Sequence, residues 1–338
     1  MKKAAFGISA AFGLFLLILD SKTAISGGKE GIQLCLQTVI PSLLPFFVLS
    51  SFLCRNISGM PLPFLRPISR LCGMPIGAES LLLLGLLGGY PVGAQNIREC
   101  EKAGVLDKID AERMLGFCNN AGPAFIFGMA GSLFSKSSVP WALWLIHIAS
   151  AIIVGILLPG RTRSVCRPVK AAEGSFLKDI EKSTKTMANV CCWVILFRVV
   201  ISFCKRWFFW IFSVEIQVLL TGIAELSNGV VDLVCVPSPG LRFILCSVML
   251  SLGGICVTMQ TVSITEELGT GYYFPGKLIQ GFLSFLLSAI MQPVLFTGAE
   301  IYTVSITSLF CVAAGILTIL LILHRNKNNS RIMAPSLI

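Results

Sequence analysis

Four polar side chains in apolar surroundings are the groups of this chain that could bind a polar molecule. Glu225 lies in an apolar stretch, where a carboxylate can accept hydrogen bonds from a hydroxyl or an amine, or carry a proton or a cation. Asn119, Asn120 and Gln260 are uncharged amides, which both donate and accept and so suit an uncharged polar ligand. Each also has a structural interpretation, because Glu can lie at an interface and amides join helices. Both interpretations stay open.

The composition defines the surroundings of these groups. The chain has 338 residues, of which 55% are hydrophobic and 13% charged, whereas soluble domains carry about 25% charged residues. This excludes a soluble enzyme, a disordered regulator and a secreted disulfide scaffold, and it predicts an all-α polytopic membrane protein. The 13 cysteines and two histidines have no metal-ligand spacing, so we expect neither a metal nor a cofactor. The net charge of +10 indicates membrane orientation and not nucleic-acid binding.

Charge-free or nearly charge-free windows predict about eight transmembrane helices and two further segments that enter and leave on the same side. A run of about 20 apolar residues is long enough to cross a bilayer as a helix. The predicted spans are 4–19, 31–54, 114–135, 139–158, 187–204, 243–265, 278–299 and 301–323.

Basic residues predict the orientation of these spans. The linker 159–186 is the most basic connection, and the positive-inside rule places it in the cytoplasm together with both termini. Segment 80–97 then has both ends inside and segment 207–231 has both ends outside, which predicts two opposed re-entrant hairpins. Glycines at their predicted tips, residues 87–94 and 221–229, together with Pro91 in the first, favour a turn over a continued helix.

The two halves follow the same order with opposite orientation. Each has a span, a hairpin, an interrupted span and a further span, with interruptions at 116–123 and 252–260. Inverted repeats with broken helices indicate a midplane binding site, because unpaired backbone groups in a membrane must face a cavity or a ligand. The predicted parts are an N-terminal anchor (1–30), a first repeat (31–158), the linker (159–186), an inverted second repeat (187–299) and a C-terminal helix with a basic tail (300–338).

The hairpin tips and the interruptions define the predicted substrate-binding site. Its members are Gly89, Tyr90, Pro91, Gly93, Gln95, Asn119, Asn120, Gly122, Glu225, Asn228, Gly229, Gly253, Gly254 and Gln260.

Three other features are interpreted structurally. Arg198 and Glu215 are expected to form an ion pair inside the membrane. The charged segment 98–113 is expected to be a solvated amphipathic helix. The chain contains neither a phosphate-binding loop motif nor a metalloprotease motif, and no nucleophile–base pair can be argued, so we expect no enzyme activity.

Several motifs resemble the sporulation integral membrane protein family of the YlbJ type, over roughly residues 31 to 296. They are PSLLPFFVLS at 41–50, GYPVGA at 89–94, FCNNAGPAFIFG at 117–128, ELSNG at 225–229 and LGG at 252–254. The resemblance implies a nucleoside-recognition or Gate domain, related to membrane parts of ferrous-iron transporters and more distantly to concentrative nucleoside transporters. It also implies a role in spore cortex assembly, in the inner membrane of the mother cell or forespore. It does not supply a substrate.

Two hypotheses of function follow. The first is a transporter-like protein that handles a small polar solute, with the lipid bilayer as its environment and a homo-oligomer left open. The second is a non-transporting membrane scaffold, which would recruit cortex-synthesis partners through segments 98–113 and 159–186.

Overall fold

The computed structural model describes residues 2–57, 60–158, 160 and 175–296, and its regular elements in these ranges are all helices. The predicted span 301–323 and most of the linker 159–186 lie outside the described residues. Within the described ranges, five helical stretches are long and apolar enough to cross a membrane, which confirms the polytopic helical class. They are Ser21–Ile57, Ser138–Leu157, Phe176–Trp207, Pro239–Thr265 and Tyr273–Leu295.

The first half contains eight α-helices. The longest stretch joins two of them through a π-helical segment, Cys35–Val39, and the Asp20 carboxylate caps its N-terminus by accepting from Thr23 N–H at 3.3 Å. The helices are α1 (Lys2–Leu19), α2 (Ser21–Leu34), α3 (Ile40–Ile57), α4 (Arg66–Leu71), α5 (Glu79–Leu87), α6 (Val92–Lys102), α7 (Lys108–Leu115) and α8 (Ser138–Leu157).

The described residues of the second half, 175–296, contain six α-helices. Helix α12 packs along α14, and α14 packs in turn against α8, so the two halves share one interior. Helix α9 packs against α2 and α3. The helices are α9 (Phe176–Trp207), α10 (Val214–Ala224), α11 (Leu226–Asp232), α12 (Pro239–Leu252), α13 (Gly254–Thr265) and α14 (Tyr273–Leu295).

Each of the two segments predicted to form a hairpin contains a pair of packed helices. The first hairpin consists of α5 and α6 joined by residues 88–91, with a cis peptide bond between Tyr90 and Pro91. The second hairpin consists of α10 and α11, which meet at a single extended residue, Glu225. The second tip is therefore much tighter than the nine-residue stretch that the glycine pattern predicted.

Both predicted interruptions are also present. Between α7 and a π-helical segment, Ala124–Ala130, residues 116–122 are not helical and form the first break. The second break is Gly253 and Gly254, whose φ angles of 73° and 80° lie in the left-handed region that glycine adopts at low cost. A Cβ on Gly254 would lie 2.8 Å from Gly222 O, so this position also needs glycine for the close approach of α10.

The charged segment 98–113 differs from the prediction of a solvated helix. It forms the end of α6, a turn and most of α7, and its Arg98, Asp110 and Arg113 are buried. Arg98 forms ion pairs with Glu101 and with Glu267, and Arg113 Nη2 donates to Gly73 O at 2.6 Å. The segment packs inward because these partners come from the second half and from the α4–α5 connection, which the local charge pattern does not reveal.

The predicted Arg198–Glu215 ion pair is wrong. Arg198 on α9 pairs with Glu30 on α2 at 2.7 Å and with Asp232 at the end of α11 at 3.3 Å. Lys205 also pairs with Asp232. Glu215 lies instead in the first turn of α10. The pairing follows the packing of α9 against α2 and α11, which brings residues together from distant parts of the chain.

Candidate functional site

The tips of the two hairpins meet at a cavity of about 40 Å³ inside the helix bundle. Gly89 and Tyr90 reach it from the first hairpin and Gly122 from the first break. Glu225 lines it from the second hairpin and Gln260 from α13. The structure therefore brings five of the predicted site residues to one place, and it adds Ser227, which was not on that list.

The size of the cavity limits what fits in this conformation. A buried water needs roughly 10–15 Å³, so 40 Å³ holds about three waters. A second cavity of about 10 Å³ lies beside it and is lined by polar residues, among them Gln95 and Lys182. Phe47 on α3 lines both cavities. Phe47 is therefore the candidate barrier between the main cavity and this smaller one.

Glu225 has a structural role as well as a place in the cavity wall. Its Oε1 accepts from Ser227 N–H at 3.0 Å, and its Oε2 accepts from the backbone and side-chain N–H groups of Asn228 at 2.7 and 2.8 Å. The carboxylate thereby caps the N-terminus of α11, where negative charge is favoured. Three of its roughly four acceptor sites are occupied, so Glu225 retains little capacity for a ligand.

Asn228 connects this cap to the ion-pair network of Arg198. Its Oδ1 accepts from Arg198 Nη1 at 3.4 Å, while its Nδ2 donates to Glu225 and to Val194 O. A continuous chain of polar contacts thus runs from Glu30 on α2 through Arg198 and Asn228 to the cavity wall. The chain ties the second hairpin to α9.

Gln260 is the polar wall group with the most remaining hydrogen-bonding capacity. It is 3% exposed, and its Nε2 donates to the Cys256 thiol at 3.2 Å. Sulfur is a weak acceptor, so a ligand oxygen would compete successfully for this donor. Among the predicted residues, Gln260 best fits the role of a group that binds a polar solute.

Asn119 and Asn120 lie behind the cavity and join elements to one another. Asn119 Oδ1 accepts from Ala94 N–H at the start of α6, and its Nδ2 donates to Thr261 Oγ1 at 2.9 Å. Asn120 Nδ2 donates to Phe117 O at 2.7 Å, and its Oδ1 accepts from Gln280 Nε2 at 2.9 Å. These bonds hold the first break against the first hairpin, α13 and α14.

The remaining predicted residues shape the hairpins and their packing. A Cβ on Gly93 would meet the backbone of Cys118, and one on Gly229 would meet Gly222. Gly253 faces the ring of Tyr90, and Gly254 borders a separate groove of about 760 Å³. Pro91 is the residue that precedes α6, and Gln95 lines the smaller cavity.

Lys277 is one of two residues of this region that the sequence analysis missed. It is the fifth residue of α14 and is only 4% exposed, beside the first break. Its Nζ lies within hydrogen-bonding distance of four oxygens, which are Asn119 O, Asn120 Oδ1, Gln280 Oε1 and Tyr90 Oη. In the sequence, Lys277 directly precedes the predicted span 278–299 and reads as the last charge of a loop. Nothing in this local pattern indicates that its side chain is buried.

His147 is a second missed member of this region. Its Nε2 accepts from Ala121 N–H at 3.0 Å, so the ring proton lies on Nδ1, which donates to Ser251 Oγ at 3.1 Å. Ser251 Oγ in turn contacts Ser284 Oγ at 2.6 Å. The histidine therefore fixes the first break to α12 and α14 as a neutral ring.

Among the described residues, five long apolar helical stretches and a buried cavity with a few polar wall groups define the class, which is a multi-pass helical membrane protein. The chain is similar to the sporulation integral membrane protein YlbJ of Bacillus subtilis (strain 168), with 26% identity over 343 residues. The match covers 86% of this chain and 83% of the relative, and it supports the family indicated by the motifs. No protein-family model matches the chain, and no solved structure does.

Proposed function

We propose that the protein is a transporter for a small polar solute, which binds in the cavity between the two hairpin tips. The observation that carries this proposal is the meeting of Tyr90, Glu225 and Gln260 around one buried space. Broken helices around a central polar space are the usual construction of binding sites in secondary transporters. The cavity of about 40 Å³ corresponds to a closed state, and a larger solute requires the hairpins to separate.

We further propose that the two halves form an inverted repeat of two Gate-like units, with about eight spans and two re-entrant hairpins. In each half the hairpin packs against the break of the same half. A Cβ on Gly89 would lie 3.2 Å from Gly122 N, and one on Gly254 would lie 2.8 Å from Gly222 O. In each half a side chain also caps the second arm of the hairpin, Asn119 in the first and Glu225 in the second.

The biological setting of the proposal is endospore formation. The similarity to a sporulation integral membrane protein over most of the chain supports membership of that family and a role in sporulation. Within sporulation we propose spore cortex assembly, which the family resemblance of the motifs implies. The location would be the inner membrane of the mother cell or forespore, with both termini in the cytoplasm. The basic linker 159–186 supports this orientation.

Flux measurements on the purified full chain in liposomes test the transport proposal. A panel of small polar solutes should reveal saturable uptake of at least one of them, and Gln260→Leu should reduce it at least tenfold. Gln260 is the preferred position, because its protein partner is a weak acceptor and its loss removes no cap or break contact. Glu225→Gln is less informative, because it also removes the cap of α11.

Lys185→Ala is the matched control for this experiment. Lys185 is exposed and pairs with Glu181 one turn away on α9, so its removal should leave uptake unchanged. Absence of saturable uptake for every solute in the panel, with folded protein in the liposomes, would refute transport. Equal uptake by the wild type and Gln260→Leu would refute the assignment of the site.

The scaffold hypothesis remains the alternative. It relies on segments 98–113 and 159–186 being available to partners. In the first of these Arg98, Asp110 and Arg113 are buried, whereas Glu99, Lys102, Asp107 and Lys108 are exposed. Exchange of residues 159–174, the part of the linker that precedes α9, for an unrelated basic segment distinguishes the two functions. A scaffold would lose its role in cortex assembly, whereas a transporter would retain uptake.

A further inference from the structure

Four oxygen atoms from three elements converge on the ammonium group of Lys277. The distances from Nζ are 2.5 Å to Asn119 O, 2.9 Å to Gln280 Oε1, 3.2 Å to Tyr90 Oη and 3.3 Å to Asn120 Oδ1. The oxygens belong to the first break, the first hairpin and α14. Nζ also lies 5.1 Å from the centroid of the Tyr90 ring, a distance typical of a cation–π contact.

The hydrogen-bonding directions favour a charged amine at this position. The carbonyl oxygens of Asn119, Asn120 and Gln280 can only accept. Tyr90 Oη donates its own hydrogen to Leu250 O at 3.3 Å, so it too presents a lone pair to Nζ. A neutral amine would face four acceptors with a buried lone pair of its own, whereas an ammonium group has three donors and no lone pair.

We propose that the Lys277 ammonium group is a tethered cation that occupies a monovalent-cation site of this fold. A main-chain carbonyl at a helix break and neutral side-chain oxygens form the type of ligand set that binds a coupling cation in transporters with broken helices. Here the cation is covalently attached to α14. The site is formed for a cation of the size and chemistry of ammonium, and Lys277 makes a free ion unnecessary.

The consequence is a change in what holds the first break in place. A free cation can leave its site, but Lys277 connects Asn119 and Asn120 permanently to α14. A carrier with this arrangement requires no sodium ion at the break. The proposal concerns the local site and holds whether or not the protein transports a solute.

Removal of the side chain should convert the occupied site into an empty one that a free cation can fill. Lys277 borders the mainly apolar groove of about 760 Å³, so in the detergent-solubilised protein the space left by its side chain would open onto this groove. Lys277→Ala leaves the four oxygens in place and removes the ammonium group. Lys277→Met removes the charge but fills nearly the same volume, so it blocks entry and serves as the matched control.

The experiment measures the thermal midpoint of the purified full chain in ammonium chloride, methylammonium chloride and N-methylglucamine chloride at equal ionic strength. Lys277→Ala should have a lower midpoint than the wild type in N-methylglucamine. Ammonium should raise the midpoint of Lys277→Ala by about 3 °C when its concentration is about ten times the dissociation constant of the site. The wild type, Lys277→Met and Lys185→Ala should show no difference between the salts. Lys277→Ala with Gln280→Leu, which removes one of the oxygens, should lose the response.

Three results would overturn the proposal. The first is an equal response of Lys277→Ala and Lys277→Met to ammonium, which would indicate a general salt effect. The second is a midpoint of Lys277→Ala that no monovalent cation changes. The third is failure to recover folded Lys277→Ala in ammonium buffer when Lys277→Met folds, because the empty site should then have been refilled. A transport assay that detects no flux would leave these tests of the cation site unchanged.

Discussion

Replacement of Glu225 by Gln tests whether the carboxylate caps α11 as the structure indicates. The wild-type carboxylate accepts from Ser227 N–H through one oxygen and from two N–H groups of Asn228 through the other. In the glutamine, one of the two oxygens becomes an NH₂ group. The less costly orientation keeps the carbonyl oxygen toward Asn228 and turns the NH₂ group toward Ser227 N–H, so a donor faces a donor.

The expected loss of stability in Glu225→Gln follows from the single hydrogen bond lost at Ser227 N–H. A hydrogen bond to a charged group contributes about 1.5–3 kcal/mol, and the buried Ser227 N–H is left without its acceptor. Because a larger chain shifts less for a given change, we take about 2 °C per kcal/mol and expect the thermal midpoint to fall by about 3–6 °C. Removal of the buried negative charge would by itself raise the thermal midpoint. This effect is expected to be small, because three N–H donors already stabilise the carboxylate.

The assay is thermal unfolding of the detergent-solubilised full chain, followed by loss of monodisperse protein on size exclusion. Glu215→Gln is the matched control, because Glu215 lies in the first turn of the neighbouring α10 and is more exposed. Its midpoint should change by less than about 1 °C. An unchanged or raised midpoint in Glu225→Gln would show that charge burial dominates, and the capping role would then be refuted.

Three further predictions concern separate parts of the molecule. The cysteine of Ser227→Cys should react slowly with a membrane-impermeant thiol reagent added from the cytoplasmic side. In the double variant with Phe47→Ala, the same cysteine should react at least tenfold faster. Equal rates in the two variants would refute Phe47 as the barrier between the two cavities. Gly85→Ala should destabilise the protein by about 1–3 kcal/mol in thermal unfolding, because its Cβ would overlap the backbone of the first break; a wild-type midpoint would contradict this close packing. Arg98, which donates to Glu267, holds the pKa of that carboxyl below its usual range, so the contact stabilises the fold at neutral pH and is lost as the pH falls through that pKa. The difference in midpoint between the wild type and Glu267→Gln should therefore disappear at acidic pH, and a difference that persists there would contradict the ion pair.

The positions of the turns and breaks could be predicted from the sequence, because glycine and proline act locally. Gly253 and Gly254 end α12 through their own left-handed backbone angles, and no distant residue is needed for this. The same holds for the first break, which lies within the predicted interruption 116–123. The predicted tip of the second hairpin was too wide, because its single turning residue, Glu225, is held by the side-chain cap and not by glycine.

The polar residues of the cavity wall could be predicted only in part. Glu225 and Gln260 stand out as polar residues in apolar stretches, and the structure places both in the cavity wall. Asn119 and Asn120 stand out equally, but their hydrogen bonds are used between helices. Residue type alone cannot distinguish these cases, because both need the same donor and acceptor groups.

The sequence by itself determined the membrane class and the positions of the helix breaks. It also determined that charges are scarce, so each buried charge has a large effect on the stability of the fold. Only the tertiary structure decided which charges are buried together. Lys277 contacts Asn119 O across 158 positions of the chain, and Arg198 contacts Glu30 across 168. Composition and periodicity describe neighbours along the chain, whereas the cost of burying a charge depends on the partners that packing supplies. The role of Lys277 therefore follows from the fold and could not be predicted from the local sequence.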